Sequence, residues 1–112
     1  MAGPSLIVRV DALRQVAYTA VTGSYTVLGS VFAHAMRILK LVNNTDADMF
    51  FSFDGATNND FIPAGGFSLY DLTTNGIGQE FVFQIGTQVY LKYSSAPSKG
   101  NVSLVTIYGQ GQ

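Results

Sequence analysis

The chain has 112 residues, a net charge of −1 and no cysteine, so it can build one hydrophobic core but neither a disulfide framework nor a thiolate metal site. Charged residues make up 12% of the chain and hydrophobic residues 47%, whereas about 25% of a typical soluble domain is charged. The six lysines and arginines are scattered, which argues against the clustered cations of a nucleic-acid-binding surface. We expect a single domain over residues 1–112, with a surface either rich in neutral polar groups or partly buried against a copy or partner.

Strand-like patterning begins almost at the first residue. Residues 1–13 have no basic segment ahead of an apolar run, so we expect no secretion signal. No apolar stretch reaches the roughly 18 residues that a membrane-spanning helix needs. The sequence therefore predicts neither a leader peptide nor a membrane helix.

Apolar residues alternate with polar ones along most of the chain, as they do in half-buried strands. Segments rich in Gly, Asn, Asp and Pro separate these runs, including residues 43–46 and 63–66. Residues 29–39 also fit helical spacing, but we favour a strand there. Eight or nine short strands at regular spacing predict an all-β sandwich or barrel. The predicted strands are 5–11, 14–20, 24–28, 35–43, 48–53, 67–71, 80–85, 88–94 and 101–108.

The segment around residues 48–53 is apolar on both faces of a strand. Met49, Phe51 and Phe53 share one parity, and Phe50 and Ser52 share the other. Such a strand lies either in the centre of a packed sandwich or at an interface, and we favour the centre.

Catalytic groups are sparse. The single histidine, His34, lies in an apolar context, and no nucleophile elbow accompanies it. Asp46, Asp48, Asp54 and Asp60 surround the aromatic strand. Because Asp beside Asn, Thr and Gly initiates turns, we interpret them as turn residues, with a weak Ca²⁺ site or acid–base chemistry on sugars as alternatives. The sequence predicts no enzyme and no cofactor.

Aromatic residues do not form a recognisable sugar-binding platform in the sequence. There is no tryptophan. Tyr90 and Tyr93 have opposite parity, so they are expected to point to opposite faces of their strand.

Three segments carry a resemblance to a known group of proteins: LKLVNNTDADMFFSFDG (39–55), FIPAGGFSLYDLTTN (61–75) and GTQVYLKYSSAPSKGNVSLVTIYG (86–109). Together they resemble short virion proteins of tailed bacteriophages of the podovirus type, and most of all the capsid cement, or decoration, proteins. The resemblance implies a β-sandwich of jelly-roll type with about eight antiparallel strands. It also implies a homodimer on the capsid exterior, made in the host cytoplasm, that binds the major capsid protein across neighbouring capsomers. No membrane and no nucleic acid are expected as partners.

Partner-binding residues are expected at the two ends of the chain and in one loop. Ends with few charges can pair as edge strands with a neighbour, although disorder at the ends and solvation of the loop lysine are the plainer alternatives. The candidates are Met1, Ala2, Gly3, Pro4, Ser5, Lys99, Tyr108, Gln110 and Gln112.

Two other functions stay open at this point. One is a structural or carbohydrate-binding module of a tail, neck or fibre, which would need an exposed tyrosine-lined groove. The other is a small enzyme that uses the four aspartates named above.

Overall fold

A computed structural model describes residues 6–72 and 81–111 of the protein. This part of the chain is all-β, with a single 3-10 turn at Tyr18–Ala20 and no α-helix. Nothing helical in the described ranges is long and apolar enough to cross a membrane. The strands are β1 (Leu6–Val10), β2 (Arg14–Ala17), β3 (Thr26–Val27), β4 (Ile38–Thr45), β5 (Met49–Ser52), β6 (Asp60–Ile62), β7 (Phe67–Asp71), β8 (Tyr90–Tyr93) and β9 (Gly100–Gly111).

The strands form two antiparallel sheets. The five-stranded sheet has the order β1-β9-β4-β7, with β2 also paired to β9, and the four-stranded sheet has the order β3-β8-β5-β6. β9 pairs with three strands of the larger sheet. β1 and β2 pair with different parts of it on one side, and β4 pairs with it on the other.

The core lies between the inner faces of the two sheets. On β4, Leu39 and Leu41 are fully buried, whereas Ile38 and Lys40 point away from the core. This alternation follows from the two-residue period of a strand. Both sheets and the loops between them contribute to one cluster of buried side chains: Val21, Leu28, Phe32, Met36, Leu39, Leu41, Met49, Phe51, Ile62, Val89, Leu91, Val102 and Leu104.

A buried asparagine joins the two sheets. The side chain of Asn43 in β4 is fully buried, and its amide nitrogen donates to the carbonyl oxygens of Ala47 at 2.9 Å and Ile62 at 3.0 Å. Its amide oxygen accepts from the hydroxyl of Thr45 at 2.7 Å. Because Ile62 belongs to the opposite sheet, this amide ties the sheets together at one end of the core.

A buried arginine ties β2 to β9 and to the loop between β3 and β4. The guanidinium of Arg14 donates to the backbone oxygen of Ser30 and to the hydroxyl of Thr106, both at 2.9 Å, and pairs with Asp11 at 3.2 Å. It also lies over the ring of Phe32, 5.1 Å from its centroid. The charge is thus held by hydrogen bonds and one carboxylate, as a buried cation requires.

The strand prediction is confirmed for most elements and wrong in five places. Residues 18–20, expected in a strand, form the 3-10 turn, and residues 29–37, where we favoured a strand, form a loop with one bridge at Met36. Most of the turn expected at 43–46 falls inside β4, because β9 pairs with residues 43–45 and the ladder continues. The strand expected at 80–85 is reduced to an isolated bridge between Met36 and Phe83, and residue 80 lies outside the described part. β6 was not predicted, because three residues are too few to show alternation.

The aromatic segment has the central position expected of it. β5 lies between β8 and β6, with Met49 and Phe51 fully buried against the other sheet. Ser52, on the opposite parity, is also fully buried, and its hydroxyl donates to Asp54 in the loop that follows.

Candidate functional site

The candidate residues at the chain ends are only partly described. Met1, Ala2, Gly3, Pro4, Ser5 and Gln112 lie outside the described residues. Tyr108 and Gln110 belong to β9, where they pair with Arg9 and Ile7 of β1. The two ends of the described chain therefore pair with each other. Beyond Ile107 these two strands form a ribbon, since β4 pairs with β9 only up to that residue.

Tyr108 and Gln110 both make contacts inside the chain. The ring of Tyr108 is half-buried and stacks on His34, with centroids 3.9 Å apart and planes 6° from parallel. Gln110 is exposed, and its side-chain oxygen accepts from Nε of Arg9 at 3.0 Å. His34 itself is an exposed loop residue.

Lys99 lies far from the other described candidates. It is exposed and immediately precedes β9, whereas Gln110 is near the other end of that strand. At about 3.3 Å per residue these two positions are about 36 Å apart. Lys99 and Gln110 therefore belong to opposite ends of the molecule, and the structure does not bring them into one surface.

The outer face of the five-stranded sheet is apolar. Val8, Val10, Phe67 and Leu69 are 71%, 66%, 64% and 57% exposed. Val10, Phe67 and Leu69 lie in rows with neighbours that point the same way on β4 and β9, whereas Val8 pairs with Gly109 in the ribbon beyond Ile107. We call this surface the apolar face and define it by Val8, Val10, Ile38, Val42, Phe67, Leu69, Val105 and Ile107.

One cation lies within the apolar face. Lys40 occupies the row between Val105 and Leu69, and its ammonium lies over the ring of Phe67 at 5.5 Å from the centroid. This cation–π contact draws the charge toward β7, the outermost strand on that side.

The four aspartates singled out from the sequence accept hydrogen bonds within the chain. Asp46 accepts from the backbone and hydroxyl of Ser98, and Asp48 accepts from the backbone of Ala64 at 3.0 Å. These two aspartates therefore join the loop between β4 and β5 to neighbouring loops instead of capping a turn of their own. The hydrogen bonds from Ser98 lower the pKa of the Asp46 carboxyl. In the described ranges, no three His, Asp or Glu side chains are grouped as metal ligands would be.

Asp54 and Asp60 organise the loop between β5 and β6. Asp54 accepts from the hydroxyl and backbone of Thr57 and from the backbone of Ala56, and these bonds hold the pKa of Asp54 well below its usual range. Asp60 accepts from the backbone of Phe61 and from the hydroxyl of Tyr70 at 2.6 Å. Burial and this bond to Asp60 raise the pKa of Tyr70.

A second surface, on the outside of the four-stranded sheet, was not foreseen. Phe61 of β6 pairs with Phe50 of β5, and Phe50 pairs with Lys92 of β8. Tyr25, just before β3, has its ring 4.7 Å from the Lys92 ammonium. We call Tyr25, Lys92, Phe50 and Phe61 the aromatic row.

A groove of about 320 Å³ opens at one end of the aromatic row. It is lined by Phe50, Asn58, Asn59, Asp60 and Phe61. Its two phenylalanine rings have centroids 5.2 Å apart and are tilted by 57°.

Sequence reasoning missed both surfaces for related reasons. Alternation places Val8 and Val10 on the same face of a strand, but parity alone does not say which face is inside. Tyr25, Phe50 and Phe61 come from three separated segments and meet only through strand register. The sequence did carry one signal for the apolar face. Ile38 and Val42 alternate with the core leucines of β4, so this strand is apolar on both of its faces.

Neither a scan against protein-family models nor a search of curated proteins finds a match for this chain.

Proposed function

We propose that this chain is a non-enzymatic structural subunit of a bacteriophage virion, a capsid decoration protein that acts as a homodimer on the outside of the shell. The observation that carries the proposal is the apolar face. The motifs at 39–55, 61–75 and 86–109 supply the virion assignment by their resemblance to cement proteins.

A continuous apolar surface is the mark of an interaction site. The apolar face covers three residue rows about 6.8 Å apart across β9, β4 and β7, about 4.8 Å apart, and extends onto β1 through Val8 and Val10, which gives a footprint on the order of 400 Å². Two such faces in contact bury on the order of 800 Å², the size of a small, weak interface.

A second copy is the occupant that fits best. Flat sheet faces stack about 10 Å apart with their strands nearly aligned, as the two halves of a sandwich do. A two-fold axis brings the same patch of each copy together. The cation of Lys40 remains near the rim of such a contact, because it lies over Phe67 on β7, the outermost strand of the sheet on that side.

Strand order supports the jelly-roll form of the sandwich. When β1 and β2 are counted as one interrupted strand, the sheets read 1-8-3-6 and 2-7-4-5. Each strand then pairs with its mirror in sequence: first with eighth, second with seventh, third with sixth, and fourth with fifth. That nested pairing is the rolled hairpin of an eight-stranded jelly roll.

The shape of the molecule is consistent with a bridging role. Its principal extents are 56 × 23 × 21 Å, and the candidate contacts Lys99 and Gln110 lie at opposite ends of β9. A rigid subunit of this length can touch two neighbouring capsomers of an expanded shell. Contacts made only in the expanded state stabilise that state by mass action, and many copies multiply a modest affinity.

Co-sedimentation with expanded, undecorated shells of the source phage tests the capsid assignment. We expect saturable binding at a fixed ratio to the major capsid protein. No binding, with binding to isolated tails or necks instead, would move the protein to that part of the virion.

Sedimentation velocity of the pure protein tests the dimer. The wild type should sediment as a dimer, and Leu69→Lys on the apolar face should sediment as a monomer. Val27→Lys is the matched control, because Val27 is similarly exposed, at 52% against 57%, but lies on the other sheet. A monomeric wild type, or equal effects of the two substitutions, would refute the assignment of this face.

A further inference from the structure

The aromatic row borders a groove that combines two features of a ligand site. One exposed ring and one half-buried ring are held in fixed positions, and polar side chains surround them. Phe61 is 47% exposed, whereas Phe50 is half-buried and has the Lys92 ammonium over its ring. Concave sites with apolar walls and a few placed polar groups are the usual form of small-molecule sites.

The rings are fixed by cross-strand contacts. Phe50 and Phe61 are directly opposite each other on β5 and β6. The ammonium of Lys92 lies 4.7 Å from the centroid of Tyr25 and 5.7 Å from that of Phe50. The hydroxyl of Tyr25 donates to the side-chain oxygen of Asn58. These contacts pre-organise the site, so little entropy is lost when a ligand binds.

Two side-chain amides of the groove have N–H groups available to a ligand. The side-chain oxygens of Asn58 and Asn59 accept from Tyr25 and from the backbone of Phe53, which orients both amides. Neither amide nitrogen donates to any described residue. Each of these groups carries two N–H bonds. The groove therefore presents oriented donors beside the aromatic surface.

The charge around the groove selects against anions. Asp60 lines it directly, and the Asp54 carboxylate is close enough to help raise the pKa of Tyr25, after burial. Among the described residues, the cation near the groove is Lys92, which is held between two rings. Phosphates and acidic sugars would meet net negative charge here, whereas neutral hydroxyl groups can accept from the amides and donate to a carboxylate.

We propose that this groove binds a neutral saccharide, with a sugar ring stacked on Phe61 beside Phe50 and its hydroxyls bound by Asn58 and Asn59. A sugar ring has apolar C–H faces and a polar edge, which matches the tilted rings and the amide rim. The volume of about 320 Å³ is at the small end of ligand sites and suits one or two sugar rings. The groove lies on the opposite sheet from the apolar face, so the site is independent of the proposed dimer and stays open in it.

The test begins with an array of neutral and anionic glycans and continues with NMR titration of the ¹⁵N-labelled protein. The solution probes are maltotriose, chitotriose and lactose, with 3′-sialyllactose as the anionic counterpart of lactose. We expect shifts for residues 50 and 58–61 with at least one neutral glycan, and weaker binding of its acidic counterpart. Absence of binding to every neutral glycan, shifts confined to another surface, or preference for the acidic form would overturn the proposal.

Two variants and one control assign the binding to the groove. Phe61→Ala should weaken binding at least about tenfold, the equivalent of one lost stacking partner. Asn58→Ala should weaken it without altering either ring. Val27→Ala is the control, because Val27 is exposed on the same sheet outside the groove, and it should bind as the wild type does. Unchanged affinity in Phe61→Ala, with its thermal unfolding unaltered, would overturn the assignment.

Discussion

Substitution of Asn43 by alanine is the sharpest test of how the two sheets are held together. The wild-type side chain is fully buried and reaches Ile62 on the opposite sheet. Alanine keeps the strand conformation of β4 but removes the amide nitrogen and the amide oxygen that make these hydrogen bonds. The carbonyl of Ile62 and the hydroxyl of Thr45 then lose a partner inside the core.

The magnitude follows from the bonds that disappear. Three of them are 3.0 Å or shorter, to Ala47, Ile62 and Thr45, and each contributes about 1 kcal/mol net. We therefore expect Asn43→Ala to lower the free energy of unfolding by about 3 kcal/mol. This is a large share of the about 6–15 kcal/mol available to a domain of this size, and it corresponds to a fall in Tm of about 12 °C.

Urea unfolding followed by tyrosine fluorescence and circular dichroism measures the change. Asn44→Ala is the matched control, since Asn44 is the next residue of the same strand but is exposed on the outer face. Its effect should stay within about 0.5 kcal/mol. A stability loss in Asn43→Ala no larger than that of Asn44→Ala would refute the reasoning that this amide network joins the sheets.

Three further predictions concern other parts of the fold. Gly100→Ala should destabilise by more than about 3 kcal/mol in urea unfolding, because Gly100 has φ +95° and a Cβ there would overlap the carbonyl of Asn44. Gly65→Ala, at φ +77° in open space, should cost only about 1 kcal/mol, and equal costs would contradict the steric argument. Arg14→Lys should lower the free energy of unfolding by about 2 kcal/mol in the same assay, since a lysine cannot replace the two guanidinium hydrogen bonds at 2.9 Å. An unchanged urea midpoint would show that these guanidinium bonds are dispensable. The folded-state pKa of Asp54 lies below its ordinary value of 3.8, so its stabilising effect is complete above that pH and disappears as the pH falls through the folded-state value. The Tm of the wild type should therefore drop more steeply between pH 5 and 2 than that of Asp54→Asn, and parallel curves would contradict this.

Residue pattern was sufficient for those features of the fold that depend on local chemistry. Alternation located most strands, and the double-faced run at Met49–Ser52 marked the central strand of the smaller sheet. Tyr90 and Tyr93 point to opposite faces, as their parity required. Each of these inferences uses only the two-residue period of a strand.

Features that depend on the register between distant strands could not be predicted from the residue pattern. Asn43 and its neighbours have the composition of a turn, yet they continue β4 because β9, far along the chain, supplies their ladder partners. The candidate Tyr108 was chosen as an end residue free to meet a partner, but its ring packs on His34. Long-range pairing decides such cases, and alternation carries no information about it.

The position of β9 in the larger sheet determines when that sheet can form during synthesis. β1 and β2 pair with residues 100–111, and β4 pairs with them along one edge and with β7 along the other. On a growing chain β1, β2 and that edge of β4 therefore wait, unpaired, until residues 100–111 have left the ribosome. Their apolar edges are exposed in the meantime to other nascent chains. Slow closure of such distant pairings is expected. Production of the folded protein should therefore depend on chaperone capacity and on low expression temperature more than on the final stability of the sandwich.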